Sequence, residues 1–160
     1  MAGQEFETSE QNTSNRIVVG VDGSESSIQA LRWARSLAAS TGGSIEAVMV
    51  TPVAPAYAWA GAFWGAAPGE PDPDATAEKI LTGTVDAAFG AERPNDLELS
   101  VTRGGAAEVL VDRSRTARIV VVGSRGHGGF AGLLLGSVSA AVAEHASCPV
   151  LVVHGDTVPA

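Results

Sequence analysis

Two runs of this chain carry apolar, mostly β-branched side chains at consecutive positions: Arg16-Ile17-Val18-Val19-Gly20-Val21-Asp22 and Arg118-Ile119-Val120-Val121-Val122. A strand with one face in water alternates apolar and polar residues. An uninterrupted apolar run instead marks a strand covered on both faces, as in a parallel sheet between helices. The sequence between these runs has the rhythm such a sheet needs. Ser24 or Ser26 can cap a helix whose Ile28, Leu31, Ala34, Leu37 and Ala38 recur at helical spacing, and Gly42-Gly43 ends it. Ser44–Thr51 reads as a second strand, stopped by Pro52. Asp74–Phe89 reads as a helix that Gly83 weakens. Leu97–Thr102 alternates like a strand near a sheet edge, and Ala106–Thr116 is a short helix. Arg118–Gly123, a helix over Val138–His145 and a last strand over Pro149–His154 complete the chain. The order β-α-β-α-β-α-β-α-β predicts a single-domain α/β fold, an open five-stranded parallel sheet with helices on both faces. Its 160 residues suffice for a real core.

The fourth strand runs into Gly123-Ser124-Arg125-Gly126, separated by nine residues from Gly136-Ser137 at the next helix start. Strand, glycine-rich loop and helix together present backbone N–H groups to a phosphate chain. Glycine admits close approach of an anion and positive φ at no steric cost. The loop is not a Walker A motif, for no lysine lies near it. Any one of Gly123, Gly126 and Gly136 alone would suit a tight turn; the set, with Ser137 opening a helix, favours phosphate. A side chain at position 123 is expected to block the site and leave the fold intact. Asp22, Val50 and Gly123 each end a strand and so should share the rim where open α/β sheets bind ligands. Asp22 suits ribose hydroxyls, or equally an Asx-turn before Gly23-Ser24. Arg125 offers a fork to phosphate oxygens or a solvated loop charge.

Three motifs in this order, V-V-G-V-D-G-S, G-x-x-G-(nine residues)-G-S and the closing C-P-V-L-V-V, resemble the universal stress protein family from about Arg16 to His154. The resemblance implies a Rossmann-like fold of the adenine nucleotide alpha-hydrolase-like kind. It also implies the family's ATP-binding branch, since every position of the glycine motif is kept. Carried over, Gly20, Val21 and Asp22 flank the adenosine, with Asp22 on the ribose or near a metal, Mg²⁺ or Mn²⁺. The Val50 backbone meets the adenine, and Val122 and Gly123 lie against the ribose. Arg125, Gly126, Gly136, Ser137, Val138 and Ser139 surround the triphosphate. The family dimerises through its last strand, here Val150, Leu151, Val152 and Val153. That run also lacks the lysine or interior proline that guards an exposed edge. The expected domain spans 16–155, between a flexible tail at 1–15 and a short one at 156–160.

No lysine stands at the phosphate loop, and neither a two-metal carboxylate pair nor a Ser-His-Asp or Cys-His set is apparent. With the resemblance, the expected function is an ATP-binding regulatory or signalling module of the stress response, with an unknown protein partner, and the missing groups point to little or no turnover. The alternative is an ATP hydrolase or a phosphoryl or adenylyl transferase, with the segment Tyr57–Trp64 as its acceptor pocket. The Pro/Gly/Ala-rich segment 52–73 carries Tyr57, Trp59, Phe63 and Trp64, as a lid, a docking surface or a loop packing its own aromatics. His127 is read as an exposed loop histidine or a proton shuttle. A net charge of −8 argues against a nucleic-acid surface. The uncharged stretch Gly128–Ala143 is rich in glycine and serine and short of the ~18 apolar residues of a membrane span. Met1–Asn15 lacks the pattern of a signal peptide. Cys148, the single cysteine, has no intrachain partner and reads as a buried small hydrophobe in a cytoplasmic protein.

Overall fold

The computed structural model describes residues 14–53, 72–126, 132 and 134–160. Within them β1 is Arg16–Gly20, α1 Glu25–Thr41, β2 Ser44–Thr51, α2 Pro73–Phe89, β3 Leu97–Arg103, α3 Ala106–Ser114, β4 Ile119–Gly123, α4 Ser137–His145 and β5 Val150–Val153. The five strands form one parallel sheet in the order β3-β2-β1-β4-β5. β1 sits at the centre, with Ile17 opposite Ile45 on one side and Ile119 on the other.

Alternation along the central strands builds two cores. Ile17, Val19 and Val121 face α1 and α2, meeting Leu31, Leu81 and Val85. Val18, Val48, Val120 and Val122 face α3 and α4, meeting Leu110 and Val142. This is why the two apolar runs have no polar face.

Element ends shift where local chemistry intervenes. β1 stops at Gly20, two residues before the expected Asp22, because Asp22 turns to bond Ser24; the Val21 N–H still reaches the Val48 carbonyl at 2.8 Å. α2 starts one residue early, since Pro73 suits a first helical turn and Asp72 caps it through the Asp74 N–H at 3.1 Å. α3 ends at Ser114, whose hydroxyl accepts the Ser147 N–H at 2.8 Å. The end of the expected N-terminal tail is tied down, with the Asn15 carbonyl accepting the Ser44 N–H at 3.1 Å. So is the C-terminal one, where the Trp33 indole donates to the Thr157 carbonyl at 3.1 Å. Cys148 is half-buried rather than buried, and burial pushes its thiol up, which keeps the reactive thiolate scarce. At the edge of β3, Arg103 holds the Asp74 carboxyl below the usual range, chiefly by hydrogen bonding.

One residue goes against the apolar pattern. Glu46, in the middle of β2, is 1% exposed. It forms an ion pair with Arg113 of α3, and Arg16 stands 3.3 Å from its other oxygen. No helix among the described residues is long and apolar enough to cross a membrane.

Candidate functional site

The strand order reverses direction between β1 and β4, and a cleft of about 240 Å³ opens there at the carboxyl ends of the strands. All twelve residues singled out in the sequence line it. Gly20, Val21 and Asp22 form its floor where β1 ends. A Cβ on Gly20 would come within 2.9 Å of Leu110, so glycine here lets α3 close on the sheet. The Asp22 carboxylate accepts the Ser24 N–H at 2.9 Å and the Ser24 hydroxyl through Oδ1. The Asx-turn is thus formed, and Oδ2 is left lying against Gly126.

The glycine loop follows a different logic from the one expected. Positive φ occurs at Gly23, next to Asp22, and at none of Gly123, Gly126 and Gly136. Those three give space instead. A Cβ on Gly123 would lie 2.8 Å from the Ser26 Cβ and 2.9 Å from its backbone carbonyl carbon. A side chain there would therefore press on the start of α1, so a substitution at this position is expected to cost stability as well as block the cleft. A Cβ on Gly126 would overlap the Asp22 carboxylate. The Ser26 hydroxyl donates to the Arg125 carbonyl and so ties the loop to α1. The Arg125 side chain is exposed at the mouth and forms no ion pair among the described residues.

Gly136 caps α4 with φ −67° and ψ 164° and no side-chain bond. Its own N–H goes to the Ser124 carbonyl at 2.7 Å, and the helix ladder begins with Ala140 N–H to the Gly136 carbonyl at 3.0 Å. The N–H groups of Ser137, Val138 and Ser139 therefore have no partner inside the helix. Ser137 is exposed and lines the cleft. The Ser139 hydroxyl is not: it is buried and aims at the Ser124 and Gly136 carbonyls, each at 3.1 Å. The expected phosphate role of Ser139 narrows to its N–H.

Val122 and Gly123 face the cleft from β4, and Val50 from β2. Backbone groups alternate sides along a strand. The Val48 carbonyl turns toward β1 and the Thr51 carbonyl toward β3, where Gly104 bonds it at 2.9 Å. The Val50 N–H and C=O accordingly turn to the β1 side, where β1 has already ended.

The universal stress protein family model matches residues 13–154. The chain belongs to the universal stress protein family. Among curated members it is 35% identical over 143 residues to universal stress protein Rv2624c of Mycobacterium tuberculosis, covering 89% of this chain and 49% of that protein. To universal stress protein Rv2623 of the same organism it is 36% identical over 137 residues, covering 85% and 44%. The chain thus spans about half the length of these relatives. A crystal structure of a universal stress protein in complex with cAMP superposes with TM-score 0.64 at 29% identity, over 90% of this chain and 99% of that one.

Several residues of this universal stress protein domain reach the cleft without having been singled out: Ser24, Ser27, Val48, Met49, Ala106 and Leu110. Ser24 and Ser27 had a signal in their place just after Asp22. Ala106 and Leu110 had none, because α3 meets the β1 rim only through the fold. The readings placed on Tyr57, Trp59, Phe63, Trp64 and His127 lie outside the described residues.

Proposed function

We propose that this universal stress protein domain is an ATP-binding regulatory module of the stress response, working in the cytoplasm with little or no turnover. The observation that carries the reading is a pair of backbone sets in one cleft with no partner among the described residues: the first-turn N–H groups of α4 and the N–H and C=O of Val50. The helix turn suits a phosphate chain through its N–H groups and dipole. The Val50 pair suits the adenine edge, with its C=O accepting from the amino group and its N–H donating to the neighbouring ring nitrogen. Guanine carries the opposite polarity at both positions and would leave both groups unpaired. The cAMP complex of the 29% identical relative supports an adenine nucleotide. The run of first-turn N–H groups, with Ser137 and Arg125 beside it, favours the triphosphate.

Mg²⁺ fits the donor set, since one Asp22 carboxylate oxygen has no hydrogen-bond partner among the described residues and magnesium is commonly held by one or two carboxylates plus phosphates. When bound it would neutralise phosphate charge. Asp22 would hold it, or a ribose hydroxyl, while its other oxygen fixes the turn. The domain would pair with a second copy through β5, which has β4 on one side and Val150, Leu151 and Val152 half-buried along its length. Relatives of twice the length support a two-domain unit.

The test is to denature freshly purified protein and identify any released small molecule by mass spectrometry. Titration with ATP and GTP in the presence of Mg²⁺ follows, with light scattering on the same sample. Bound or readily accepted ATP is expected, with GTP weaker by on the order of a hundredfold. A chain that is empty and takes up neither nucleotide would overturn the proposal, and a monomer mass at micromolar protein would overturn the β5 pairing.

A further inference from the structure

Glu46 puts a charge where a strand buried on both faces has no need of one. Arg113, in the last turn of α3, forms an ion pair with it and also points at the hydroxyls of Ser100, at 3.4 Å, and Thr102, at 3.2 Å, on β3. Arg16 lies close by at 3.3 Å, but no hydrogen bond of good geometry reaches that oxygen of Glu46. Arg113 is thus the tie that crosses from helix to sheet. Burying a carboxylate costs about as much as pairing it returns, so such a tie adds little stability over two apolar residues. Its effect is on placement. An apolar contact tolerates sliding of a helix over a sheet, whereas a guanidinium aimed at three acceptors on two strands does not.

The two elements joined by this tie also form facing walls of the cleft. Val48 and Val50 follow Glu46 at the two-residue spacing that keeps them on one face of β2. Leu110 and Ala106 precede Arg113 by one and two helical turns and line the opposite wall. We infer that Glu46 and Arg113 are positioning residues: their ion pair sets the separation of these walls, and so decides which base fits against Val50. This inference rests on the adenine-nucleotide reading of the cleft given above.

The experiment measures affinity for ATP, GTP and inorganic tripolyphosphate, each with Mg²⁺, for the wild-type chain and for Glu46→Gln, Arg113→Met and Arg113→Lys. Thermal unfolding is followed in parallel. Glu46→Gln and Arg113→Met should each lower the ATP-over-GTP preference by about tenfold, the scale of one base-edge contact, while tripolyphosphate affinity stays within about twofold. Arg113→Lys, which keeps the charge, should retain part of the preference. Should Glu46→Gln fail to fold, the two Arg113 variants carry the test. A lower melting temperature with the wild-type preference intact would make the pair merely structural and overturn the inference, as would an equal loss for all three ligands. Failure of the underlying reading looks different, because the wild-type chain itself would then show no preference for ATP.

Discussion

The two helices that begin at the cleft, α1 and α4, are finished on opposite plans. At α1 the Ser24 hydroxyl accepts the Ser27 N–H at 3.3 Å, Asp22 takes the Ser24 N–H, and Glu25 sits against the positive end of the dipole. At α4 the cap is a glycine, the first turn carries no acid, and the one buried hydroxyl, that of Ser139, turns inward. Both helices carry a macrodipole of roughly half a charge at the terminus. What separates them is where the first-turn N–H groups go: at α1 a side chain takes one of them, whereas at α4 none has a partner among the described residues, and on the proposed reading an acceptor from outside would take them. A helix start pointing at a cleft is thus not yet an anion site. On the proposed function, the absence of a side-chain cap is what would make it one.

The largest expected effect removes the contrast altogether. Gly123→Val would drive its side chain into Ser26 and push the capped start of α1 away from β4. We expect ATP binding to disappear in titration calorimetry and stability to fall by about 1–3 kcal/mol in chemical unfolding. Wild-type binding by this variant would show that the α1–β4 contact is not part of the site. A sharper test gives α4 the finish that α1 has. The backbone at Gly136 suits a capping residue, and an added Cβ would meet nothing closer than 3.6 Å among the described residues. Gly136→Asp should therefore gain roughly 0.5 kcal/mol of stability, while ATP affinity drops by at least about tenfold as the carboxylate takes the free N–H groups. Opposite signs in the two measurements are the prediction; a parallel change in both would contradict it. The smallest effect comes from stripping α1. Ser24→Ala should cost about 1 kcal/mol in unfolding and reduce ATP affinity less than Gly136→Asp does. A larger loss of ATP affinity than in Gly136→Asp would mean that Ser24 serves the ligand more than the helix.

The order of elements was legible because it is written locally. The apolar runs at Ile17–Val19 and Ile119–Val122, the Ser24 cap and the αL glycine at Gly42 each announce themselves within a few residues. The rim was legible for a related reason, since an all-parallel sheet brings strand ends such as Asp22, Val50 and Gly123 together whatever their distance in sequence. Features that depend on partners remote in the chain were not. Glu46 is a lone charge in the buried middle of β2, and its partner Arg113 comes from α3, far along the chain. Nothing near Leu110 says that it will press against Gly20, and nothing near Ser139 says that its hydroxyl will be spent on the Ser124 carbonyl. The glycines were found for a partly wrong reason, because φ is a local property and the space they free is set by Ser26 and Asp22.

The strand order has a kinetic side. β1, β2 and β3 follow one another through single helices, and so do β4 and β5, but Ile17 must find Ile119 across roughly a hundred residues of chain. That closure carries the largest loop entropy in the sheet and belongs to the late, slow part of assembly. The cleft lies on this seam, with Val50 on one half and the bare turn of α4 on the other. A ligand spanning the two would act as a bolt across the joint that opens first, so occupancy would be expressed as the lifetime of the folded chain.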